Sequence, residues 1–440
     1  MSEERKRVRR PSANAGTGSA SAGTGSANAG TGRPRRESDD ESIGRKALVN
    51  VGGPTRSQGD PKIAATLVEA MEAAAHEDPD ALTHGFHAWP ARMHRAIART
   101  VIARATREGE RVLDPFCGSG TVLLEAMLAG RRSAGVDLNP LAGALVGVKC
   151  ERRDLESRDA FEQLAELVGE ASLERVQARE RAIAKLPPSM IGWYGPHVLK
   201  ELAGLLEEIR SVEDEADRRA LEMVFSSLVV KLSKKRAETS QQEAEKRIRK
   251  GLSTEMFVRK AHELAQRWGT LDEALPEGAI APRFFEGDSR ELERLLGART
   301  KARLILTSPP YGGTYDYHAQ HALRLAWLGL DARAFARREM GARRSAAVDP
   351  DEAAEQWWDD VAAMLRGMER VLDRDGFIVL LMGDGRFGQL DVPLIPQLIE
   401  IAPHVGLELV ASASQPRPAW GGGATREEHL VALKRAERRR

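Results

Sequence analysis

Seven short apolar runs, each six to nine residues long, set the strongest limit on the fold of this chain. They are RVLDPF (111–116), SAGVDL (133–138), PRFFEGD (282–288), ARLILTS (302–308), GFIVLLMGD (376–384), LELVASAS (407–414) and HLVALKR (429–435). Helical segments separate most of them, such as TVLLEAMLAG (121–130), and PKIAATLVEAMEAAAH (61–76) precedes them. Short apolar strands joined by helices predict a parallel sheet with right-handed crossovers, covered on both faces. The last two runs are joined by QPRPAWGGGATREE with no helix between, so they are expected to pair antiparallel.

Two stretches fall outside that pattern. Residues 12–32 repeat SANAGTG, SASAGTG and SANAGTG, and no aromatic occurs before Phe86. So few groups to bury cannot offset the entropy of ordering, and residues 1–60 are expected to be a disordered low-complexity tail flanked by arginines. Residues 151–275 are rich in Glu, Arg, Ala and Leu with hardly a strand signal, and are expected to be an all-helical insertion. The regular unit is thereby split into a first part, 61–150, and a second, 276–440.

Charge and cysteine content exclude some classes. The 66 basic and 65 acidic residues nearly cancel, so any nucleic-acid surface must be a local patch. Two cysteines cannot build a disulfide framework, and no apolar run reaches the ~20 residues of a membrane span. The expectation is a cytoplasmic protein without membrane contact.

The chemistry concentrates at the ends of the strands. Asp114-Pro-Phe-Cys-Gly-Ser-Gly-Thr121 leaves the first run through a turn that Gly118 and Gly120 permit. It lacks the Gly-Lys-Ser/Thr of a phosphate loop and the third glycine of a dinucleotide loop, and an acid leads it. Such a turn suits an amine-bearing or cationic ligand. Asp137, ending the second run, is placed to accept both hydroxyls of a ribose, and Asp288, ending the third, to hold an adenine amino group. The alternative is that these aspartates merely cap helices. Three in register with the glycines favour a nucleoside pocket.

The fourth run ends in Thr307-Ser-Pro-Pro-Tyr-Gly-Gly313. Pro309 and Pro310 have no N–H, so the turn is stiff and its carbonyls lack neighbouring donors. The Ser308 hydroxyl and the Pro309 carbonyl can accept both hydrogens of an exocyclic amine. Tyr311 offers a face for a planar base.

DPFCGSGT, GVDLNP, EGDSR and TSPPY, in that order, resemble the amino-group DNA methyltransferases, the N4-cytosine and N6-adenine family. HGFHAWPARMHRAIA (84–98) resembles the segment before the donor loop in that family, and REEHLVALKR its last strand. The resemblance covers residues 80–145 and 281–435. It implies a class I, Rossmann-like α/β fold with a seven-stranded sheet, S-adenosylmethionine as cofactor, and DNA methylation of the restriction–modification kind. It also implies donor contacts from Phe86, Pro90, Asp114, Phe116, Gly118, Gly120, Thr121, Asp137, Asn139 and Asp288, and a catalytic set of Ser308, Pro309, Pro310 and Tyr311. Serine at position 308 leans towards N4 of cytosine. By the same resemblance the helical insertion is expected to hold a target-recognition region. It contains Trp193, Tyr194 and a basic run with Lys234, Lys235 and Arg236, expected either to contact phosphates or to form a solvated face interleaved with Glu238, Glu243 and Glu245. Asp316, His318 and His321 are candidates to touch substrate. An RNA amino-methyltransferase, such as a tRNA guanine-N2 enzyme, and a non-catalytic DNA-binding scaffold are the alternatives. His84, His87 and His94 are not expected to bind metal, and Cys117 is not expected to act as a nucleophile.

Overall fold

The computed structural model describes residues 54–180, 182–237, 240, 242–417 and 426–437. Its centre is one mixed sheet with the order β1-β9-β10-β6-β5-β2-β3-β4. The strands are β1 (Arg56–Gly59), β2 (Arg111–Asp114), β3 (Arg132–Asp137), β4 (Arg283–Glu286), β5 (Ala302–Thr307), β6 (Leu372–Gly383), β9 (Leu407–Arg417) and β10 (Arg426–Arg435). A separate hairpin pairs β7 (Gly385–Phe387) with β8 (Leu390–Val392). From β4 to β6 all neighbours are parallel. β10 runs against both β6 and β9, and the antiparallel pairing of the last two strands is the one expected from the sequence. The chain order reverses about β2, which has β3 on one side and β5 on the other. In open α/β sheets that reversal opens a crevice at the carboxyl ends of the strands.

The sheet has eight strands where the sequence suggests seven. The eighth, β1, lies inside the stretch read as a disordered tail, and that reading is corrected for residues 54–60. Its residues Arg56–Gly59 pair with Ser414–Ala411 of β9, and all four side chains are exposed. A short edge strand exposed along its whole length leaves no apolar alternation in the sequence. The repeats and the rest of the expected tail, residues 1–53, lie outside the described residues.

Helix Pro61–Ala73 follows at once. Asp60 caps it, accepting the N–H groups of Lys62 and Ile63 at 2.9 and 3.0 Å, and Pro61 supplies its preset first turn. Ala64, Leu67, Ala70 and Met71 form the buried stripe. This helix and Arg95–Ala105 cover one face of the sheet, and Pro350–Val371 contributes Trp357, Val361, Met364 and Met368 to the same core.

Between β3 and β4 the chain is helical: Pro140–Lys149, Leu155–Gln177, Pro188–Ile191, Pro196–Arg210, Glu215–Val229 and Leu252–Ala274. These helices have their own apolar core, including Phe161, Leu202, Leu205, Phe225, Phe257 and Trp268. Helix Tyr317–Leu328, which follows the TSPPY turn, belongs to this second core through Leu323, Leu325 and Trp327. Trp327 Nε1 donates to Tyr194 Oη at 3.0 Å, and Tyr194 Oη donates to Val229 O at 2.9 Å. Tyr194 is thus a buried strut inside the insertion and not the recognition side chain expected of it.

Candidate active site

Asp114 is the last residue of β2, and Thr307 is the last of β5. The Thr307 hydroxyl donates to Asp114 Oδ1 at 2.6 Å, and the same oxygen accepts the Phe116 N–H at 3.1 Å. The two strands on either side of the topological reversal are therefore fastened at their tips. The chain then turns through Gly118 and Gly120, with φ of +47° and +82°. A Cβ at position 118 would lie 2.6 Å from Nε1 of Trp89, so the absent side chain lets the indole rest on the loop.

Asp137 ends β3 and secures the loop from the other side. Its Oδ2 accepts the Gly118 N–H and its Oδ1 the Asn139 N–H, both at 2.8 Å. Asn139 caps the next helix by accepting the Leu141 N–H at 3.1 Å. One cavity at this edge is lined by Trp89, Pro90, Asp114, Phe116, Gly118, Thr121, Asp137, Asn139, Asp288, Ser308, Pro310 and Tyr317. Arg92 and Ser119 also line it, as do Phe335, Arg338 and Met340 from the segment after the TSPPY helix.

Burial pushes the Asp114 carboxyl up to about 7 against the Thr307 and Phe116 hydrogen bonds, and the Asp137 charge adds to the rise. Burial likewise lifts Asp137 to about 6 against three backbone N–H groups. A carboxyl raised on folding stabilises the fold fully below its ordinary pKa near 4, and that stability drains away as pH climbs to about 7. The melting temperature of the donor-free protein is expected to decline between about pH 4 and 7, and Asp114→Asn should flatten that decline. An identical slope in both proteins, read by calorimetry, would show Asp114 ionising freely.

Asp288 behaves differently. Its Oδ1 accepts from Arg290 N and Nε, both at 2.9 Å; its Oδ2 accepts from Arg290 Nη2 at 2.6 Å and Arg338 Nε at 2.9 Å. Burial works to raise its pKa, yet these guanidinium contacts hold it below the usual carboxylate range. All four lone-pair directions are engaged, so the adenine-binding role expected for it conflicts with its contacts. The neighbouring Ser289 has a buried hydroxyl with no protein partner, as do Thr121 Oγ1 and Asn139 Nδ2. All three residues line the cavity, and orphaned polar atoms there suit a polar nucleoside ligand.

Four of the expected site residues do not line the cavity. Phe86 is fully buried in the helical core, 5.2 Å from Lys260 Nζ, because it follows the short helical turn Leu82–Gly85 that docks there. Trp89, three residues on, takes the aromatic place; the indole beside a proline in HAWP was the signal for it. Phe86→Ala is expected to cost about 3–5 kcal/mol of stability. Trp89→Ala should instead weaken donor binding with a smaller loss, a contrast that denaturant titration and calorimetry will read. Gly120 is the left-handed residue before helix Thr121–Leu128, packed under Val146. Pro309 is buried behind the turn.

Tyr311 is the largest departure. Its ring is buried in the main core, and its hydroxyl donates to the buried Glu428 Oε1 at 2.7 Å. Gly383 makes room for it, since a Cβ there would sit 3.0 Å from the ring. The expected stacking face is turned inward, fixed by a carboxylate from a strand more than a hundred residues away.

The basic run also serves the fold. Lys235 is buried, with Nζ 5.5 Å from the Trp193 ring centroid, and Lys234 Nζ donates to Gly192 O at 2.9 Å. Lys235 is not available for phosphate in this arrangement; Lys234 and Arg236 are exposed, and Arg236 Nη1 donates to Gln242 at 3.2 Å. Of the substrate-facing candidates after the turn, Asp316 accepts the Arg344 N–H at 2.9 Å, and His318 stacks edge-on to Phe335 at 5.8 Å. His321 is fully buried, 4.3 Å from Trp89, and burial keeps it neutral. The earlier histidines have separate partners: His84 Nε2 with Glu125 at 2.8 Å, His87 Nε2 with Ser226 at 3.0 Å, and His94 Nδ1 accepting the Ala96 N–H at 3.2 Å. Burial raises the Cys117 thiol well above its ordinary range.

No described helix is long and apolar enough to cross a membrane. A family model described as DNA methylase, of the N6/N4 methyltransferase kind, matches residues 58–142. The type II methyltransferase M.MjaII of Methanocaldococcus jannaschii is 21% identical over 389 residues, covering 68% of this chain and 72% of the relative. M.BsoBI of Geobacillus stearothermophilus, also a type II methyltransferase, is 25% identical over 256 residues, 51% of this chain and 48% of the relative. A tRNA (guanine(10)-N2)-dimethyltransferase of Methanothermobacter thermautotrophicus is 40% identical over 52 residues, 12% of this chain. Among solved structures, TrmN from Thermus thermophilus aligns at a TM-score of 0.31 and 15% identity, over 78% of this chain and 49% of that one. The matched domain and the two type II relatives make this chain similar to the amino-methyltransferase DNA methylases, a likeness that supports S-adenosylmethionine as cofactor.

Proposed function

We propose that the protein methylates the exocyclic amino group of a base in DNA, with N4 of cytosine as the favoured position. The observation that carries this reading is that Asp114, Asp137 and Ser308 line one cavity. Asp137 receives the ribose and Asp114 the cationic side of the donor, with Trp89 over the glycine loop. The bound donor supplies an electrophilic methyl group on a sulfonium. Ser308 Oγ accepts an amine hydrogen, which helps localise the nitrogen lone pair for in-line attack on the methyl group as its bond to sulfur breaks. The Thr307–Asp114 bond couples the two halves, so the strand that presents the acceptor is registered against the strand that holds the donor.

The base must leave its stack to reach Ser308. With the Tyr311 ring turned inward, the tyrosine that lines the cavity with Ser308 is Tyr317. The matched tRNA methyltransferase segment keeps an RNA acceptor as the second reading. Mass spectrometry of nucleosides from DNA and from tRNA, each incubated with protein and labelled donor, decides between them. N4-methylcytosine in DNA is the expected product; N6-methyladenine would correct the base, and label in tRNA alone would overturn the DNA reading.

A further inference from the structure

Lys149 ends helix Pro140–Lys149 and is fully buried. Its Nζ donates to Ser119 Oγ at 3.3 Å, and among the described residues no carboxylate lies within ion-pair reach of it. Its neighbours do little to balance the charge. Burial, then the Arg92 guanidinium, brings the ammonium down to about 7; Arg267 pushes the same way, while Cys150 and Asp80 pull weakly against them. Arg92 is itself buried, donates to Asp80 Oδ1 at 2.7 Å and to the His84 carbonyl, and lines the donor cavity. Ser119 belongs to the glycine loop and lines that cavity too. Two cations thus converge behind one corner of the pocket. A buried charge is costly unless an anion or a dense hydrogen-bond set meets it; Arg92 has Asp80 and backbone carbonyls, whereas Lys149 has the Ser119 hydroxyl and, among the described residues, no carboxylate.

We propose that Lys149, acting through Ser119 and beside Arg92, is the positioning residue for the α-carboxylate of the methyl donor's amino-acid moiety. The inference rests on the reading of this cavity as the donor site. It gives the loop an electrostatic polarity: acids Asp114 and Asp137 on the nucleoside and sulfonium side, cations on the carboxylate side. The orientation of the amino-acid tail then follows from charge, with the Ser119 hydroxyl as the loop's own contribution.

The test compares two ligands that differ only in the carboxylate, S-adenosylmethionine and its decarboxylated form, by titration calorimetry. The wild-type protein is expected to bind the carboxylate-bearing donor at least tenfold tighter. Lys149→Met should bring that ratio close to one while leaving affinity for the decarboxylated form within threefold of wild type. Lys149→Arg, which keeps the charge, should retain most of the ratio. A merely structural role would weaken both ligands alike, and that result, or an unchanged ratio, overturns the proposal. Ser119→Ala removes one hydroxyl and leaves the buried cation in place, so it serves if Lys149→Met does not fold. It should shrink the ratio at least threefold, and an undiminished ratio counts against the proposal. Should the wild type bind neither ligand, the donor site itself is misread, which the variants would not be needed to show.

Discussion

Replacing Asp137 with alanine is expected to raise the Kd for S-adenosylmethionine roughly a hundredfold or more. The estimate starts from two hydroxyl hydrogens donated to an ionised carboxylate, each contributing about 1.5 kcal/mol or somewhat more, or ~3 kcal/mol together. The same carboxylate also holds the Gly118 and Asn139 N–H groups at 2.8 Å, so its loss loosens the glycine loop as well as the ribose seat. Because burial puts its pKa at about 6, the group is ionised at pH 7.5 and its contribution should fade below pH 6. Titration calorimetry at pH 7.5 reads the effect, with circular dichroism to show that the sheet survives. A Kd within threefold of wild type would remove Asp137 from the donor site.

Ser308→Ala is expected to act on the other half of the reaction. Ser308 is half-buried at the end of β5, immediately after the threonine that is bonded to Asp114. The two prolines that follow donate nothing, and of Ser308 and Pro309 it is Ser308 that lines the cavity, so on the proposed reading its hydroxyl is the acceptor for an amine hydrogen. Losing one preorganised hydrogen-bond partner of the reacting group slows the chemical step by about 10²–10³-fold in comparable sites. Single-turnover transfer from labelled donor should show that drop, with the donor Kd unchanged within twofold. If the donor Kd shifts as much as the transfer rate, Ser308 serves binding and the amine-gripping turn is misassigned.

The split between these two variants follows from the fold. Parallel strands bring Asp114, Asp137, Asp288 and Ser308 to one edge because every strand from β4 to β6 runs the same way. That much could be read directly, since a run of apolar residues ending in Asp or Thr-Ser-Pro-Pro marks a strand tip wherever it occurs. Asp288 shows the limit. Its place at the edge follows from the pattern, but its partners Arg290 and Arg338 saturate it, and Arg338 comes from a segment after the TSPPY helix. Nothing local to EGDSR announces that second arginine.

Phe86 and Trp89 differ in the same way. Both are aromatic, both lie in HGFHAWP, and only docking against helix Leu252–Ala274 decides which is swallowed by the helical core. Lys234 and Lys235 read as a phosphate-binding run because lysine is normally exposed. The structure turns Lys235 in beneath Trp193 and spends Lys234 on a backbone carbonyl. Edge strand β1 was invisible for a simpler reason: its four residues are all exposed, and apart from the Arg56–Glu427 ion pair they are held through backbone hydrogen bonds.

Sequence alone determined the parallel sheet, its antiparallel last strand, the helical insertion, and the glycine turn and strand-tip groups at one rim. These depend on period, turn chemistry and strand direction, which are local properties. Tertiary structure alone decided which way individual side chains face: Tyr311 inward on Glu428, Trp89 over Gly118, and Lys149 beneath the loop at Ser119. Those orientations are set by charges and shapes supplied from distant segments, and no spacing rule within one stretch of chain carries that information.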